Sequence, residues 1–174
     1  AITKAKGNYI CFLDCDDVWI FDKLAKQVEA YNQGYLFTFG GSIVVDENKN
    51  ILCKQANNSI NKVITTNSLL RDNSISIGCA VVEERLIKEL KFDPFYELLG
   101  DFDLWIRLSL KCTPERVQGN LELSRRHDKN ITNIRRNRWL TERRYFYRKF
   151  IKNNNFLIYP SILSYILLTE VKGL

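Results

Sequence analysis

Tyr9 to Leu13 (YICFL) is an unbroken apolar run that stops abruptly on Asp14-Cys15-Asp16-Asp17. A run this short and continuous reads as a strand buried on both faces. Three carboxylates in four positions at its end repel one another unless a cation compensates. On an extended chain side chains alternate, so Asp14 and Asp16 would point one way and Cys15 the other. Two carboxylates converging at a strand's C-terminal end make half a cage for Mg2+ or Mn2+, with positions left open for phosphate oxygens. The plain alternative is a solvated acidic turn that caps the next helix, a role that suits Asp17.

The rest of the chain alternates strands and helices, the pattern of an α/β fold. Residues 1–6 read as the tail of a helix. Asp22 to Asn32 reads as a helix with Leu24, Val28 and Tyr31 on its inner stripe. Strands are predicted at Tyr35–Phe39 and Ser42–Val45, either side of Gly40-Gly41, and at Ile51–Lys54, Ile75–Val82 and Arg116–Arg126. Helices are predicted at Val63–Leu70, Glu83–Leu90, Asp101–Lys111, Arg138–Lys152 and Ser161–Val171. Trp19 and Trp105 read as core anchors.

Composition narrows the function classes. At 174 residues the chain is long enough to bury a core without metal or disulfide staples. The five cysteines are odd in number and contain no CxxC pair, and there is one histidine, so a zinc ribbon or a His-rich metal site is excluded. Reduced thiols fit a cytoplasmic setting. No apolar run is long enough to span a bilayer. Methionine is absent, from which we expect a piece of a longer protein. The net charge is +6, but residues 125–152 alone hold eleven Lys or Arg against Asp128 and Glu142. That concentration suits an anionic partner or a solvated basic helix face.

The string AKGNYICFLDCDDVW, followed by Lys23-Leu24 and Gln27, resembles the metal-binding stretch of family 2 glycosyltransferases of the GT-A fold. Gly100-Asp101-Phe102-Asp103-Leu104-Trp105-Ile106-Arg107 resembles their acidic pair and Trp-bearing helix, with Gly100 where the first acid commonly stands. Ser124-Arg125-Arg126-His127, with Asn130 and Thr132, is similar to a third motif in which Ser124 replaces a tyrosine. The resemblance runs in order over residues 1–133.

That resemblance implies a GT-A-like mixed sheet flanked by helices, lacking its first βα units, over residues 1–133, with a basic, aromatic helical extension over 134–174. It implies inverting transfer of a sugar from a nucleotide-sugar donor to a saccharide or lipid-linked acceptor, in bacterial surface polysaccharide synthesis. Asp14, Asp16 and Asp17 would hold Mn2+ or Mg2+, Asp14 would also touch the ribose, Arg125 and His127 would meet the diphosphate, and Asp101 would be the general base. A helix N-terminus would favour its ionised form. With most of the nucleotide pocket outside the chain, little transfer is expected from it alone. The amphipathic helix at 138–152 would either rest on an anionic membrane at the inner face of the cell membrane or pack on the sheet.

Two other classes compete. Asp14, Asp16 and Val18 also fit the first motif of haloacid-dehalogenase-like phosphatases, where Asp14 would be the nucleophile. The later acidic motif of that family fails here, because Trp105 occupies the position of its last carboxylate. A basic nucleic-acid-binding module ranks last, since no nucleic-acid motif is present.

Overall fold

The structure, a computed structural model, describes residues 2–54, 63–127 and 130–153. The predicted helix at Ser161–Val171 lies outside them. Six strands form one mixed sheet: β1 (Tyr9–Cys11), β2 (Val18–Trp19), β3 (Phe37–Val45), β4 (Ile51–Lys54), β5 (Val81–Glu83) and β6 (Glu115–Arg125), in the order β1-β5-β3-β6-β2 with β4 beside the end of β3. Only β3 and β6 run parallel; the other pairs are antiparallel. The helices are α1 (Lys23–Asn32), α2 (Thr66–Arg71), α3 (Glu84–Leu90), α4 (Gly100–Ser109), α5 (Ile131–Ile134) and α6 (Arg136–Asn153). This is the mixed, helix-flanked sheet expected of a GT-A-like domain.

Alternation along the strands sorts the two faces of the sheet. Phe37 and Phe39 join the apolar core, where the Phe37 ring lies 5.1 Å from that of fully buried Trp105 on α4. Trp105 also donates its indole N–H to Ile75 O at 3.2 Å. Between those phenylalanines, Thr38 faces the other way, toward Gln27 and Tyr31 of α1. In β1, Ile10 belongs to the core while Tyr9 stacks on Tyr31 at 3.6 Å. Of that strand only Ile10 is buried, because β1 lies at the sheet's edge among the described strands.

Several elements differ from the reading of the sequence, each for a physical reason. Leu24 and Val28 of α1 are exposed, and the buried stripe is Lys23, Gln27, Ala30 and Tyr31. That helix covers a polar patch of the sheet, so polar side chains face inward. β3 runs unbroken through Gly40-Gly41 instead of splitting there. A Cβ on Gly40 would sit 2.5 Å from the Leu121 side chain, so the glycine admits β6 without ending the strand. The segment 75–82 becomes a 3-10 turn, Ile77–Cys79, before β5. There Gly78 lies against the buried Glu122 carboxylate, with no room for a Cβ. The segment before β1 is a single 3-10 turn at Ile2–Lys4.

The aromatic face of α6 packs against the core through Phe146, Tyr147 and Phe150. Buried Glu142 on the same helix accepts hydrogen bonds from the backbone N–H groups of Glu97, Leu98 and Leu99 at 2.9, 3.0 and 3.1 Å. Arg138 Nε donates to it at 2.8 Å. Burial alone would raise the Glu142 pKa, but these donors more than offset it and hold the carboxyl below its ordinary value. The chain entering α4 is thereby fastened to α6.

Candidate active site

The acidic cluster is a turn and not an extended segment. β1 ends at Cys11, and Asp17 N–H donates to Asp14 O at 3.2 Å, closing residues 14–17. The alternation expected of Asp14 and Asp16 therefore does not apply. Proximity survives: burial pushes the Asp14 carboxyl up, and the charges of Asp17 and Asp16 push it further.

The end of β6 comes to this turn from far along the chain. β2 pairs with β6 in the register Val18 with Leu123 and Trp19 with Glu122, which sets Arg125 and His127 beside the acids. Asp16 Oδ2 meets His127 Nε2 at 3.1 Å. Asp17 Oδ1 accepts the Arg125 backbone N–H at 2.7 Å. Asn130 Oδ1 accepts the His127 N–H at 2.6 Å, fixing the chain just past the strand. The Arg125 Nε is buried and has no hydrogen-bond partner among the described residues. An unpartnered buried guanidinium nitrogen suits an anionic ligand.

The three expected metal ligands do not form a ready-made cage. Among the described residues no three His, Cys, Asp or Glu side chains converge as a metal site. Asp17 is engaged with the Arg125 amide and lies against Glu122. Burial raises its pKa to about 6; Glu122 and Asp16 add to the rise and the Arg125 amide opposes it. Asp14 and Asp16 remain as oxygen donors at the surface of the turn. Such a pair fits an Mg2+-like ion that completes its shell with substrate phosphates.

Asp101 lies in the first turn of α4, but it does not cap that helix: the cap position is Leu99, with no side-chain cap bond. Its Oδ1 accepts the Phe102 N–H at 2.7 Å. The expectation that the helix terminus keeps it readily ionised is not met. Burial raises its pKa to about 6, against the opposing hydrogen bonds from Phe102 and the Asn73 side chain. The charge of Asp14 adds to that rise. Asp103 has a different task. It is buried and paired with Arg107, 2.6 Å from Nη2, while Arg107 also donates to Leu90 O and Lys91 O.

A buried polar layer backs the site and was not legible in the hydrophobic pattern. Lys23 Nζ, fully buried, donates to Gln27 Oε1 at 2.6 Å and lies 4.5 Å from the centre of the Trp19 ring. Gln27 Nε2 donates to Cys79 O at 2.9 Å, and Cys79 Sγ meets Glu122 Oε2 at 3.2 Å. The one visible sign of this layer is a glutamate between the two leucines of β6, Leu121-Glu122-Leu123. Nothing in the local sequence marks Asn73 as the partner of Asp101.

Comparison with known families decides the assignment. The sequence profile described as glycosyl transferase family 2 matches residues 1–90. The chain belongs to glycosyltransferase family 2. The match holds the whole acidic turn, while Asp101, Arg125 and His127 lie beyond it. This family 2 chain is 30% identical over 108 residues to an Escherichia coli UDP-Glc:alpha-D-GlcNAc-diphosphoundecaprenol beta-1,3-glucosyltransferase, covering 62% of the chain and 41% of that protein. It is 35% identical over 97 residues to an uncharacterized glycosyltransferase of Haemophilus influenzae, covering 52% and 36%. A third relative, an uncharacterized glycosyltransferase of Methanocaldococcus jannaschii, is 28% identical over 109 residues, covering 62% and 38%. The chain thus spans about two fifths of the length of the curated relatives it matches. Membership of this family displaces the phosphatase and nucleic-acid readings.

Proposed function

We propose that this glycosyltransferase moves a sugar from a nucleotide-sugar donor to a hydroxyl of a saccharide or lipid-linked acceptor, with a divalent cation and with inversion. The observation that carries the reading is the meeting of Asp16 with His127 beside an Asp14 whose charge reaches Asp101. Both observations support donor-side and acceptor-side groups flanking one region.

A bound Mn2+ or Mg2+, held by Asp14 and Asp16, would supply charge stabilisation to the leaving diphosphate. Arg125 and His127 direct positive or N–H donor groups at the phosphate oxygens. Asp17 is a positioning residue: through the Arg125 amide it ties the acidic turn to the end of β6. Asp101 accepts the proton of the acceptor hydroxyl as its oxygen attacks the anomeric carbon. The bond from that carbon to the diphosphate oxygen breaks on the opposite face, and the configuration inverts. A carboxylate with a pKa near 6 is well matched to a base working at neutral pH.

Bacterial surface polysaccharide synthesis is the setting we assign, by analogy with the E. coli relative that acts on a diphosphoundecaprenol-linked sugar. Exposed Arg148 and Lys152 on α6 support peripheral contact with an anionic membrane at its cytoplasmic face. Among the described residues no helix is long and apolar enough to cross a membrane. Residues 134–174 are read as an extension to the catalytic part, residues 1–133.

Titration of the chain with Mn2+ and a nucleoside diphosphate tests the reading. The two should bind cooperatively, and Asp16→Asn should remove the cooperativity. Independent binding of the two, or a response unchanged in Asp16→Asn, would refute it.

A further inference from the structure

α6 lies wholly beyond residues 1–90, yet it closes a pocket of about 250 Å3 beside the base. We propose that this pocket, between α2, α4 and α6, is an acceptor subsite that takes a sugar bearing a phosphate group. The proposal rests on the glycosyltransferase reading and names the acceptor chemistry of that site.

Position is the first argument. Asn73, on the rim, hydrogen-bonds Asp101, and the floor includes Phe102, the next residue along the chain. Asp101 does not itself line the pocket, but Asn73 joins the two, so a ligand seated here is one side chain away from the carboxylate that would take its proton. Size is the second. The volume falls below the roughly 300–1,000 Å3 of sites for drug-sized molecules and suits one sugar ring with its substituent.

Chemistry is the third. The α6 wall presents the half-buried Trp139, with the Arg143 guanidinium 4.9 Å from the centre of its ring, while Tyr147 is buried behind it and donates its hydroxyl to Leu70 O. Aromatic rings accept the C–H face of a sugar, and a guanidinium pairs with phosphate oxygens. Arg71 brings a second guanidinium from the end of α2. Asp72 also lines the pocket; it opposes a bare anion and offers an acceptor to sugar hydroxyls. A site of two arginines, one aspartate and an aromatic wall therefore favours a sugar phosphate over inorganic phosphate or a neutral sugar. Because Glu142, next to Arg143, also grips residues 97–99, α6 both lines the pocket and holds the approach to Asp101.

The test is a titration of glucose 1-phosphate into the 15N-labelled chain, with EDTA present and the indole N–H signals observed. The chain has three tryptophans, so a Trp139→Phe variant assigns the one that matters. The Trp139 signal should shift and saturate, and Asp16→Asn should leave the shift intact. Arg143→Gln and, on a different helix, Arg71→Gln should each weaken binding about tenfold, the loss expected for one charge-assisted hydrogen bond. No Trp139 shift, an equal response to inorganic phosphate alone, or indifference to both arginine variants would overturn the proposal. A Trp139 shift in a chain that shows no cooperative binding of Mn2+ and a nucleoside diphosphate supports the pocket and removes the transfer reading. Cooperative binding without a Trp139 shift does the reverse.

Discussion

Asp16 and His127 stand 111 positions apart in the sequence and meet at 3.1 Å. The contact exists because β2, the two residues that follow the acidic turn, pairs with the end of β6. A short antiparallel pair thus carries Arg125 and His127 to the acids. The same join is reinforced by Asp17 and the Arg125 amide at 2.7 Å. On this account Asp16 and Asp17 have opposite tasks, one toward ligand and one toward the fold. Asp17→Asn keeps an acceptor oxygen for the Arg125 amide, so its Mn2+ affinity should stay within about threefold of the parent, whereas Asp16→Asn should lose tenfold or more. Calorimetric titration of both variants separates the two roles.

Asp101 makes the pH dependence specific. Its carboxyl rises to about 6, with burial as the main cause. As a base it works only when ionised, so transfer should climb with pH through an acid limb centred near 6. Asp101→Asn should lower kcat by about 10²–10⁴-fold, the usual share of a general base. For stability the sign is opposite. A raised carboxyl pKa means that the fold prefers the protonated form, so stability is greatest below the unfolded value of 3.8 and falls as pH rises toward about 6. The gap corresponds to about 3 kcal/mol at most. Urea unfolding at pH 7 should find Asp101→Asn more stable than the parent.

The polar layer behind the turn predicts a steric effect at Gly78. A Cβ there would strike Glu122 Oε1, and Glu122 is buried and in contact with Cys79. Gly78→Ala should cost about 1–3 kcal/mol by overpacking. Glu122→Ala in the same chain should recover part of that loss, because it removes the atom that is struck. Thermal unfolding of the two single variants and the double variant measures the coupling.

Glu142 offers a second structural test. It satisfies three backbone N–H groups and Arg138 from a fully buried position. Glu142→Ala should destabilise by about 3–5 kcal/mol, since it strands those donors. Amide exchange at Glu97, Leu98 and Leu99 should accelerate in the variant.

The parts legible in the sequence were those with local causes. The acidic cluster, the extended segment that became β6, the helix carrying Asp101 and the core role of Trp105 all follow from short patterns of apolar and acidic residues. What escaped depends on partners far along the chain. The buried stripe of α1 contains Lys23 and Gln27 because Thr38, Cys79 and Glu122 face them, and a hydrophobic periodicity selects Leu24 and Val28 instead. β3 passes through two glycines because Leu121 of β6 needs the space. The acidic residues form a turn through a backbone bond from Asp17 to Asp14, which no alternation rule anticipates. Asn73 supports Asp101 from a loop whose sequence carries no signal of that contact.

A single cation bound at the acidic turn should be felt at both the end of β6 and the start of α4. Mn2+ added with a nucleoside diphosphate to the 15N-labelled chain should broaden the backbone signals of His127 and Phe102 together, and Asp16→Asn should abolish both effects. Broadening at His127 with none at Phe102, or broadening that persists in Asp16→Asn, would contradict the shared site.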